Sequence, residues 1–493
     1  MKYISTTSLN VKNPPEREKE IKEINEAIEN NQSIILLGTR RVGKTTILNA
    51  IEKIKEEKYK IVRYDCMERR EDISALFAIF FAYSKKLKIF VSSIGKKGKG
   101  ELGKERKDAE KIIKNLGHEA FLIENLMDSN PPIEIEEDNI KDADAMLLIL
   151  GNEYSKNVED EYNFARGYGK LIFCMIKGNK DDEKDEGVRK IINGMQEEKD
   201  TRIYRRYECI EKFKEVIEKT IKRKSDEWRR NTTDECSKRD WREIAEKFFE
   251  NIKNQNEKFL FLIDEFGEIR KKSMKKDENF EDMLAYVAAK IDKLENGIFV
   301  ITGSDNVFTL SSQKYFKNFR NYTLHPFEEN VATRVLNIIL NKELNNDLLR
   351  KIIKIFGTVP GDLQLFASRV REETEINDEN ILKITEKLIT EEGSKITEIY
   401  FANLDEELIN FLKNMMLHLP ASEETIRLYF KGTEEKLKEI LTRVSDSHFI
   451  LEKKGNNKYY PYSNFLWLNI VYKNNSKEFN KIIKNILNKN ARI

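Results

Sequence analysis

The sequence predicts an α/β fold in which a main parallel sheet is interrupted by a second α/β domain and followed by a mostly helical region. Short apolar strands alternate with helical patterns, which indicates parallel strands joined by right-handed crossovers. About 190 residues separate the second and third of these strands, far more than a crossover needs. From residue 328 onward the pattern is almost entirely helical. At 493 residues, the chain is long enough for about three domains.

The main sheet is predicted from four short apolar runs, of the kind that strands buried on both faces show. A charged amphipathic helix precedes the first run, and a helix follows each of the first two. The runs span residues 33–37, 60–65, 259–263 and 298–302, and the helices span 16–29, 47–57 and 72–86.

The segment between the second and third of these strands predicts a complete small α/β domain. Its two ends could lie close together, as tolerated domain insertions require. Strands are predicted over 87–91, 120–123, 145–150 and 171–176, and helices over 105–116, 158–168 and 208–224.

Composition limits the classes of protein that this chain can belong to. Lys and Arg number 88 and Asp and Glu 86, so a net charge of +2 excludes a protein held to nucleic acid mainly by net positive charge. The longest apolar run, 75–83, is too short to span a bilayer, and the N-terminus lacks the apolar core of a signal peptide. Four dispersed cysteines indicate neither a disulfide framework nor a zinc site. We expect a cytoplasmic protein without a membrane partner.

The spacing Gly38-xxxx-Gly43-Lys44-Thr45, between the first strand and the next helix, matches the Walker A pattern of phosphate-binding loops. Its glycines let backbone N–H groups wrap the phosphates, and Lys44 meets the β- and γ-phosphates as a catalytic cation. The Thr45 hydroxyl ligates Mg²⁺. The predicted nucleotide-binding residues are Gly38, Thr39, Arg40, Arg41, Val42, Gly43, Lys44, Thr45 and Thr46.

Two acids, Asp264 and Glu265, end the third apolar strand. Asp264 can hold Mg²⁺ through water, and Glu265 can orient the water that attacks the γ-phosphate. The sequence therefore predicts ATP and Mg²⁺ as ligands, with Glu265 catalytic. The alternative is a buried strand that ends in two acids by accident.

These motifs, with Glu16-Arg17-Glu18 upstream and Thr302-Gly303-Ser304 at the end of the fourth strand, resemble the archaeal-type ATPases of the STAND branch of AAA-like P-loop proteins. The resemblance covers about residues 1–85 and 225–470. It implies a switch protein in which ATP binding and slow hydrolysis reposition a helical lid and a winged helix.

The same resemblance implies roles for three further positions. Ser304 matches the polar residue that senses the γ-phosphate, with Thr302 as the alternative. Arg320 matches an arginine that stabilises charge, with an ordinary surface arginine as the alternative. The turn 357–360, which ends in Pro360, matches a lid turn that approaches the nucleotide, without that turn's second glycine.

Short motifs run in order through the inserted segment: Phe90-Val91-Ser92-Ser93, Leu102-x-x-Glu105-Arg106, Leu116-Gly117-His118, Ile140-x-x-Ala143-Asp144, and Tyr154-Ser155 followed by residues 158–165. Their order and spacing resemble the DUF4062 family, which is related to TIR and nucleoside deoxyribosyltransferase domains. The resemblance covers about residues 87–178.

In those relatives a glutamate acts on an N-glycosidic bond, as nucleophile or as stabiliser of an oxocarbenium-like sugar. Glu161 is the matching position and Glu159 is the alternative, so NAD or a nucleoside is the implied substrate. Both acids could instead belong to a solvated helix start. Ser92 and Ser93 are candidate ligand contacts at the carboxyl end of a strand, whereas His118 is expected in a loop or the core.

Three helices, predicted over 406–417, 422–430 and 434–449, precede a hairpin over 450–462 with the turn Gly455-Asn456-Asn457. This order resembles a winged helix. The third helix mixes basic and acidic residues, so no basic recognition face is predicted. Lysines and tyrosines of the hairpin could contact nucleic acid, but a wing packed on the rest of the chain is favoured. These hairpin residues are Lys453, Lys454, Lys458, Tyr459 and Tyr460.

The leading hypothesis is a STAND-type ATPase that controls an inserted TIR-like domain in defence or signalling and assembles into a homo-oligomer on activation. The alternative is a regulatory ATPase that binds nucleic acid through its winged helix and carries a non-catalytic, ligand- or partner-binding insert. The predicted parts are the ATPase core over 1–86 and 225–327, the insert over 87–224, the lid over 328–400, the winged helix over 401–475 and a helical tail over 476–493.

Overall fold

The computed structural model of the protein consists of two compact units. The first holds the residues up to Leu76 and from Phe249 onward, and the second holds Phe77–Phe248. The residues that the structure describes are 14–67, 73–94, 100–122, 133–197, 203–269, 280–303, 314–341, 344–370, 375–401, 404–430, 432–447, 450–455 and 457–488.

The strands are numbered in chain order. They are β1 (Ile34–Gly38), β2 (Lys60–Asp65), β3 (Lys88–Ser93), β4 (Glu119–Phe121), β5 (Ala145–Leu150), β6 (Leu171–Lys177), β7 (Ile203–Tyr207), β8 (Phe259–Asp264), β9 (Gly297–Gly303), β10 (Arg320–Leu324), β11 (Ala421–Ser422), β12 (Leu451–Lys453) and β13 (Lys458–Pro461).

The α-helices are numbered in the same way. They are α1 (Glu18–Glu29), α2 (Lys44–Lys55), α3 (Ile73–Ser84), α4 (Gly103–Asn115), α5 (Ile133–Asp142), α6 (Lys156–Gly167), α7 (Glu186–Glu197), α8 (Ile210–Cys236), α9 (Trp241–Lys253), α10 (Phe280–Ile291), α11 (Glu329–Leu340), α12 (Asn346–Phe356), α13 (Pro360–Val370), α14 (Asp378–Phe401), α15 (Glu406–Met416), α16 (Glu423–Tyr429), α17 (Glu434–Thr442), α18 (Asn464–Asn474) and α19 (Ser476–Leu487).

The first unit is organised by a five-stranded sheet in the order β10-β1-β9-β8-β2, and every neighbouring pair is parallel. Strands β1, β8 and β9 are buried along their whole length, which explains their continuous apolar sequences. Helices α1 and α2 pack on this sheet through apolar residues that include Ile24, Ile28, Ile47 and Ile51. Because the strands are parallel, their carboxyl ends meet at one edge, where the phosphate loop follows β1.

The second unit has its own five-stranded parallel sheet, in the order β4-β3-β5-β6-β7. One core holds α4 and α8 against the sheet, and another holds α5, α6 and α7. The sequence did not predict α5, α7 or β7. Strand β7 reads Ile-Tyr-Arg-Arg-Tyr and lies at an edge, so it lacks the apolar run that marks a central strand.

The second unit also begins before and ends after the predicted insert of residues 87–224. The reason is aromatic packing of Phe77 and Phe80 on α3, whose ring centroids lie 5.9 and 5.6 Å from that of Phe248 on α9. Helix α8 continues to Cys236 and does not end at residue 224. The part of α3 from Phe77 onward and the part of α9 up to Phe248 therefore belong to the second unit.

The region after β10 shares one hydrophobic core, which runs from Phe327 to Leu487 and includes residues of α11 to α19. A small antiparallel sheet, β11-β13-β12, lies in this region, and β12 and β13 form the predicted hairpin. In its turn, Asn456 lies outside the described residues, whereas Asn457 has a left-handed φ of 57°. Among the helices that the structure describes, none is long and apolar enough to cross a membrane.

Candidate functional site

The loop between β1 and α2 has the backbone geometry of an anion cradle. Gly43 directly precedes α2 with φ 104°, and Arg41 has a left-handed φ of 67°. A Cβ on Gly38 would lie 2.7 Å from the carbonyl oxygen of Leu324, so only glycine fits there. The free N–H groups of the first turn of α2 are the donors that phosphate requires.

Lys44 is buried at the start of α2, and its ammonium group contacts the phosphate loop. Its ammonium donates to the carbonyl oxygens of Gly38 and Thr39, at 3.1 Å each. It also lies 3.1 Å from the carboxylate of Glu265. The cation of the loop and the acid after β8 therefore face the same point.

Asp264 connects β8 to the loop and to β9. Its carboxylate accepts hydrogen bonds from the hydroxyls of Thr45, at 2.6 Å, and Thr302, at 2.5 Å. The Thr302 hydroxyl in turn accepts the backbone N–H of Glu265 at 3.0 Å. Burial raises the pKa of Asp264, and the neighbouring charge of Glu265 raises this pKa further.

The oxygen donors fit a magnesium nucleotide. A threonine hydroxyl and a carboxylate are hard ligands, and Mg²⁺ is commonly held by one or two protein groups together with substrate phosphates. The guanidinium of Arg63 lies 3.9 Å from the buried carboxylate of Asp264, a separation too long for a strong ion pair. The buried hydroxyl of Thr39 also has no hydrogen-bond partner among the described residues.

The other predicted nucleotide-site residues differ in how close they lie to the phosphate loop. Glu265 lies beside Lys44 in a left-handed conformation with φ 50°. Thr302, the alternative sensor, is central to the site, whereas Ser304 lies outside the described residues. Pro360 opens α13, and its two successors, rather than Pro360 itself, make the hydrogen bonds to the loop.

Arg320, expected to stabilise charge at the nucleotide, lies at the edge of the sheet opposite the phosphate loop of its own chain. Arg320 opens β10 and pairs with Ile34, the first residue of β1. Gly38, which leads into the phosphate loop, pairs with Leu324 at the other end of the same strands. At about 3.3 Å per residue, Arg320 is roughly 13 Å from that edge along the strand. The exposed Arg320 therefore does not reach the phosphate loop of its own chain.

Arg40 and Arg41, both predicted to bind the cofactor, use their side chains elsewhere. Arg40 donates to Glu268 at 2.6 Å, and the Nε of Arg41 donates to Asp362 at 2.8 Å. Their contribution to a phosphate is therefore confined to the backbone. Asp362 is not among the predicted site residues, although its place in the first turn of α13, two residues after Pro360, is a signal for it.

Arg17, the middle residue of the Glu16-Arg17-Glu18 motif, contacts the phosphate loop through its side chain. Its guanidinium donates to the carbonyl oxygens of Val42, at 3.2 Å, and His325, at 2.9 Å. It also stacks over the ring of Phe327, 4.3 Å from the ring centroid. Arg17 therefore ties the phosphate loop to the segment that follows β10.

In the second unit, Glu161 is buried on α6 rather than solvated. Its carboxylate accepts the hydroxyl hydrogen bond of Ser92, at the carboxyl end of β3. The adjacent Ser93 hydroxyl accepts a 2.9 Å hydrogen bond from the guanidinium of Arg106, which is also buried. Consecutive strand residues point to opposite faces of a sheet, so the Ser92–Glu161 pair lies on the α6 side and the Ser93–Arg106 pair on the α4 side. Both pairs are at the carboxyl end of β3, where ligands of parallel sheets usually bind.

The alternative acid, Glu159, is in a different environment. It is partly exposed and accepts hydrogen bonds from Tyr154, at 2.7 Å, and Lys156, at 2.9 Å. These bonds lower the pKa of Glu159. His118 is buried, with its ring 2.9 Å from the hydroxyl of Ser225, which is the core position that the sequence favoured.

Comparison with known proteins identifies the second unit. Residues 88–240 match the family described as Domain of unknown function (DUF4062). A DUF4062 domain is therefore present. The matched stretch extends further toward the C-terminus than the predicted 87–224, in agreement with the length of α8. Because the match covers less than half of the chain, it describes this domain and not the whole protein.

Two further proteins are similar to the chain. An uncharacterized protein of Aquifex aeolicus (strain VF5) is 25% identical over 135 residues, which are 27% of this chain and 62% of that protein. The chain thus spans less than two thirds of the length of that curated relative. The solved structure of a Walker-type ATPase of Pyrococcus abyssi aligns over 94% of this chain and 99% of its own, at 13% identity and a TM-score of 0.47.

Proposed function

We propose that this protein binds ATP with Mg²⁺ at the loop between β1 and α2 and hydrolyses it. One observation carries this proposal: Lys44, Thr45, Asp264, Glu265 and Thr302 meet within hydrogen-bonding distance at the carboxyl edge of one parallel sheet. They are the cation, the metal-binding oxygens and the water-orienting acid that phosphoryl transfer requires.

Each residue has a distinct task in this proposal. The loop N–H groups and Lys44 bind the β- and γ-phosphates, and Thr45 and Asp264 would hold Mg²⁺. Mg²⁺ held by these oxygens would offset the negative charge of the phosphates. Glu265 orients water for attack, and Thr302 holds both Asp264 and the backbone of Glu265 in place.

Two substitutions test this assignment by separating binding from turnover. Lys44→Ala removes the charge that offsets the phosphates and should abolish tight ATP binding in calorimetry. Glu265→Gln keeps the size of the side chain and should leave binding intact, because it removes only the group that orients water. Equal ATP affinity of wild type and Lys44→Ala would refute the proposed site.

We further propose that this ATPase is a STAND-type switch that controls a TIR-like DUF4062 domain. In chain order the domain is inserted between β2 and β8, the strand that bears Asp264. The chain itself therefore connects the domain to a strand of the nucleotide site. The buried pair of Ser92 and Glu161 supports cleavage of an N-glycosidic bond, with NAD or a nucleoside as substrate. Defence or signalling, with assembly into a homo-oligomer, is the role that this combination suggests.

We assign residues 328–400 to a lid and 401–475 to a winged helix that serves the switch rather than nucleic acid. Lysines of both its third helix and its hairpin lie beside acidic groups. Lys436 lies 2.6 Å from Glu407, and Lys453 lies 3.7 Å from Glu423. Because these charges are already offset, they are poor sites for phosphate contacts.

A further inference from the structure

The phosphate loop is held from outside by three groups, one on each of three successive carbonyls. The carbonyl of Arg40 accepts the hydroxyl of Tyr400 at 3.4 Å. The carbonyl of Arg41 accepts the N–H of Gly361 at 2.9 Å. The carbonyl of Val42 accepts the guanidinium of Arg17 at 3.2 Å.

These contacts bear on the loop's donors. In a trans peptide the C=O and the next N–H point in opposite directions. A carbonyl held on the outer side of the loop therefore turns the following N–H to the other side, which orients the N–H groups of Arg41 and Gly43 for phosphate. The N–H of Val42 instead donates to the carbonyl oxygen of Thr39 at 3.4 Å. The groups that hold the carbonyls come from the start of the chain, α13 and α14, all within the first unit.

The Arg41 side chain extends this connection to α18. Its Nε donates to one oxygen of Asp362 at 2.8 Å, and the other oxygen accepts the hydroxyl of Ser463 at 2.6 Å. Ser463 is the N-cap of α18, and its hydroxyl accepts the N–H of Leu466 at 3.0 Å. One buried carboxylate thus connects the phosphate loop to the first turn of a helix in the C-terminal region.

The bridge formed by Arg41, Asp362 and Ser463 is closely packed. Asp362 is 0% exposed, and Ser463 is 1% exposed. A Cβ on Gly361 would lie 2.7 Å from the Cβ of Arg41 and 3.0 Å from its carbonyl oxygen. Arg41 itself has a left-handed φ of 67°, a conformation that persists in a non-glycine residue only when its surroundings enforce it.

We propose that Arg41, Asp362 and Ser463 are positioning residues that shape the phosphate loop for ATP and transmit its occupancy to the start of α18. This inference rests on the proposed ATP binding and adds the route by which the C-terminal region responds to it. Coupling between two sites is reciprocal. If the bridge favours the loop conformation that binds ATP, then ATP binding must in turn stabilise the hydrogen bonds of the bridge. Buried charge pairs suit this task, because breaking one leaves an uncompensated charge.

Hydrogen exchange of the full-length wild-type protein, with and without Mg-ATP, tests the transmission directly. Mg-ATP should slow exchange both in the loop around Lys44 and in the first turn of α18, including Leu466. Slowing at the loop without any change at α18 would overturn the bridge and leave ATP binding intact. Absence of any ATP binding would overturn both proposals.

Variants test the same bridge by ATP affinity. Asp362→Asn and Ser463→Ala should each weaken ATP binding on the order of 10-fold, within the usual range of coupling between sites. Ser463→Thr keeps the hydroxyl and should restore wild-type affinity, and Arg369→Ala, which removes an arginine of α13 paired with Glu391, should change nothing. Wild-type affinity in Ser463→Ala and Asp362→Asn would contradict the proposal. If Asp362→Asn fails to fold, the comparison of Ser463→Ala with Ser463→Thr and the hydrogen-exchange experiment still test the proposal.

Discussion

The hydroxyl of Thr302 lies 2.5 Å from the carboxylate of Asp264 and also accepts the backbone N–H of Glu265 at 3.0 Å. One side chain on β9 thus orients both acids that follow the apolar part of β8. Thr302 is completely buried, so neither bond competes with solvent. Thr302 therefore holds the carboxylate of Asp264 and the backbone of Glu265 in a fixed relation.

This relationship predicts that Thr302→Val impairs ATP turnover. Valine keeps the shape but leaves an oxygen of Asp264 and the N–H of Glu265 without this partner, and loss of such supporting bonds commonly costs about 10–100-fold in activity or metal affinity. Thr302→Ser keeps the hydroxyl and serves as the control in a phosphate-release assay. Wild-type turnover by Thr302→Val would show that the pair is only structural.

Glu161→Gln should eliminate release of nicotinamide or a free base while ATP hydrolysis continues, because the two sites lie on separate sheets. Glutamine can still accept the Ser92 hydroxyl, so folding should be preserved. Glu159→Gln is the matched control on the same helix and should retain base release. Product analysis by chromatography measures both reactions.

The proposed control of the DUF4062 domain by ATP adds a condition to this prediction. Base release should depend on ATP and should fall in Lys44→Ala. If wild-type protein with ATP releases no base from NAD or common nucleosides, whether monomeric or assembled, the insert is better described as a ligand- or partner-binding domain.

The hairpin should bind nucleic acid only weakly at physiological salt. Lys454 lies 3.5 Å from Glu452 and over the ring of Tyr460, 5.0 Å from its centroid, so its charge already has neighbours. Fluorescence anisotropy with duplex DNA and single-stranded RNA provides the measurement. Submicromolar binding that disappears when Lys453, Lys454 and Lys458 are changed to Glu would favour the nucleic-acid alternative.

Gly38→Ala should destabilise the first unit by about 1–3 kcal/mol, the usual cost of overpacking. The new Cβ would meet the backbone oxygen of Leu324, which belongs to β10 and cannot turn away as a side chain can. Gly297→Ala, on the same sheet, is the control, because its nearest atom is the end of the Leu294 side chain. Equal denaturation midpoints for the two variants would contradict this account of Gly38.

Local patterns in the sequence predicted the central strands and the phosphate loop because both have strong short-range signals. Buried parallel strands appear as continuous apolar runs, and the loop appears as a fixed spacing of glycine, lysine and threonine. The edge strand β7 carries no such run, since Arg205 and Arg206 interrupt it. Its position therefore emerged only from the structure.

Contacts between residues far apart in the sequence could not be predicted for a different reason. Arg41 and Asp362 are separated by 321 residues, and no local pattern specifies which of many acids a buried arginine will meet. The distance of Arg320 from the phosphate loop likewise depends on strand register, which no short motif records. Once β10 begins at Arg320 and runs parallel to β1, that residue must lie at the edge opposite the phosphate loop.

Phosphate release from Mg-ATP by the purified full-length protein, compared with its Glu265→Gln variant, tests the central claim most directly. We expect slow, magnesium-dependent hydrolysis by the wild type and almost none by Glu265→Gln, at equal ATP occupancy. The loss follows because the variant binds the nucleotide but no longer orients the attacking water. Hydrolysis by Glu265→Gln at the wild-type rate would contradict the assignment of the catalytic acid.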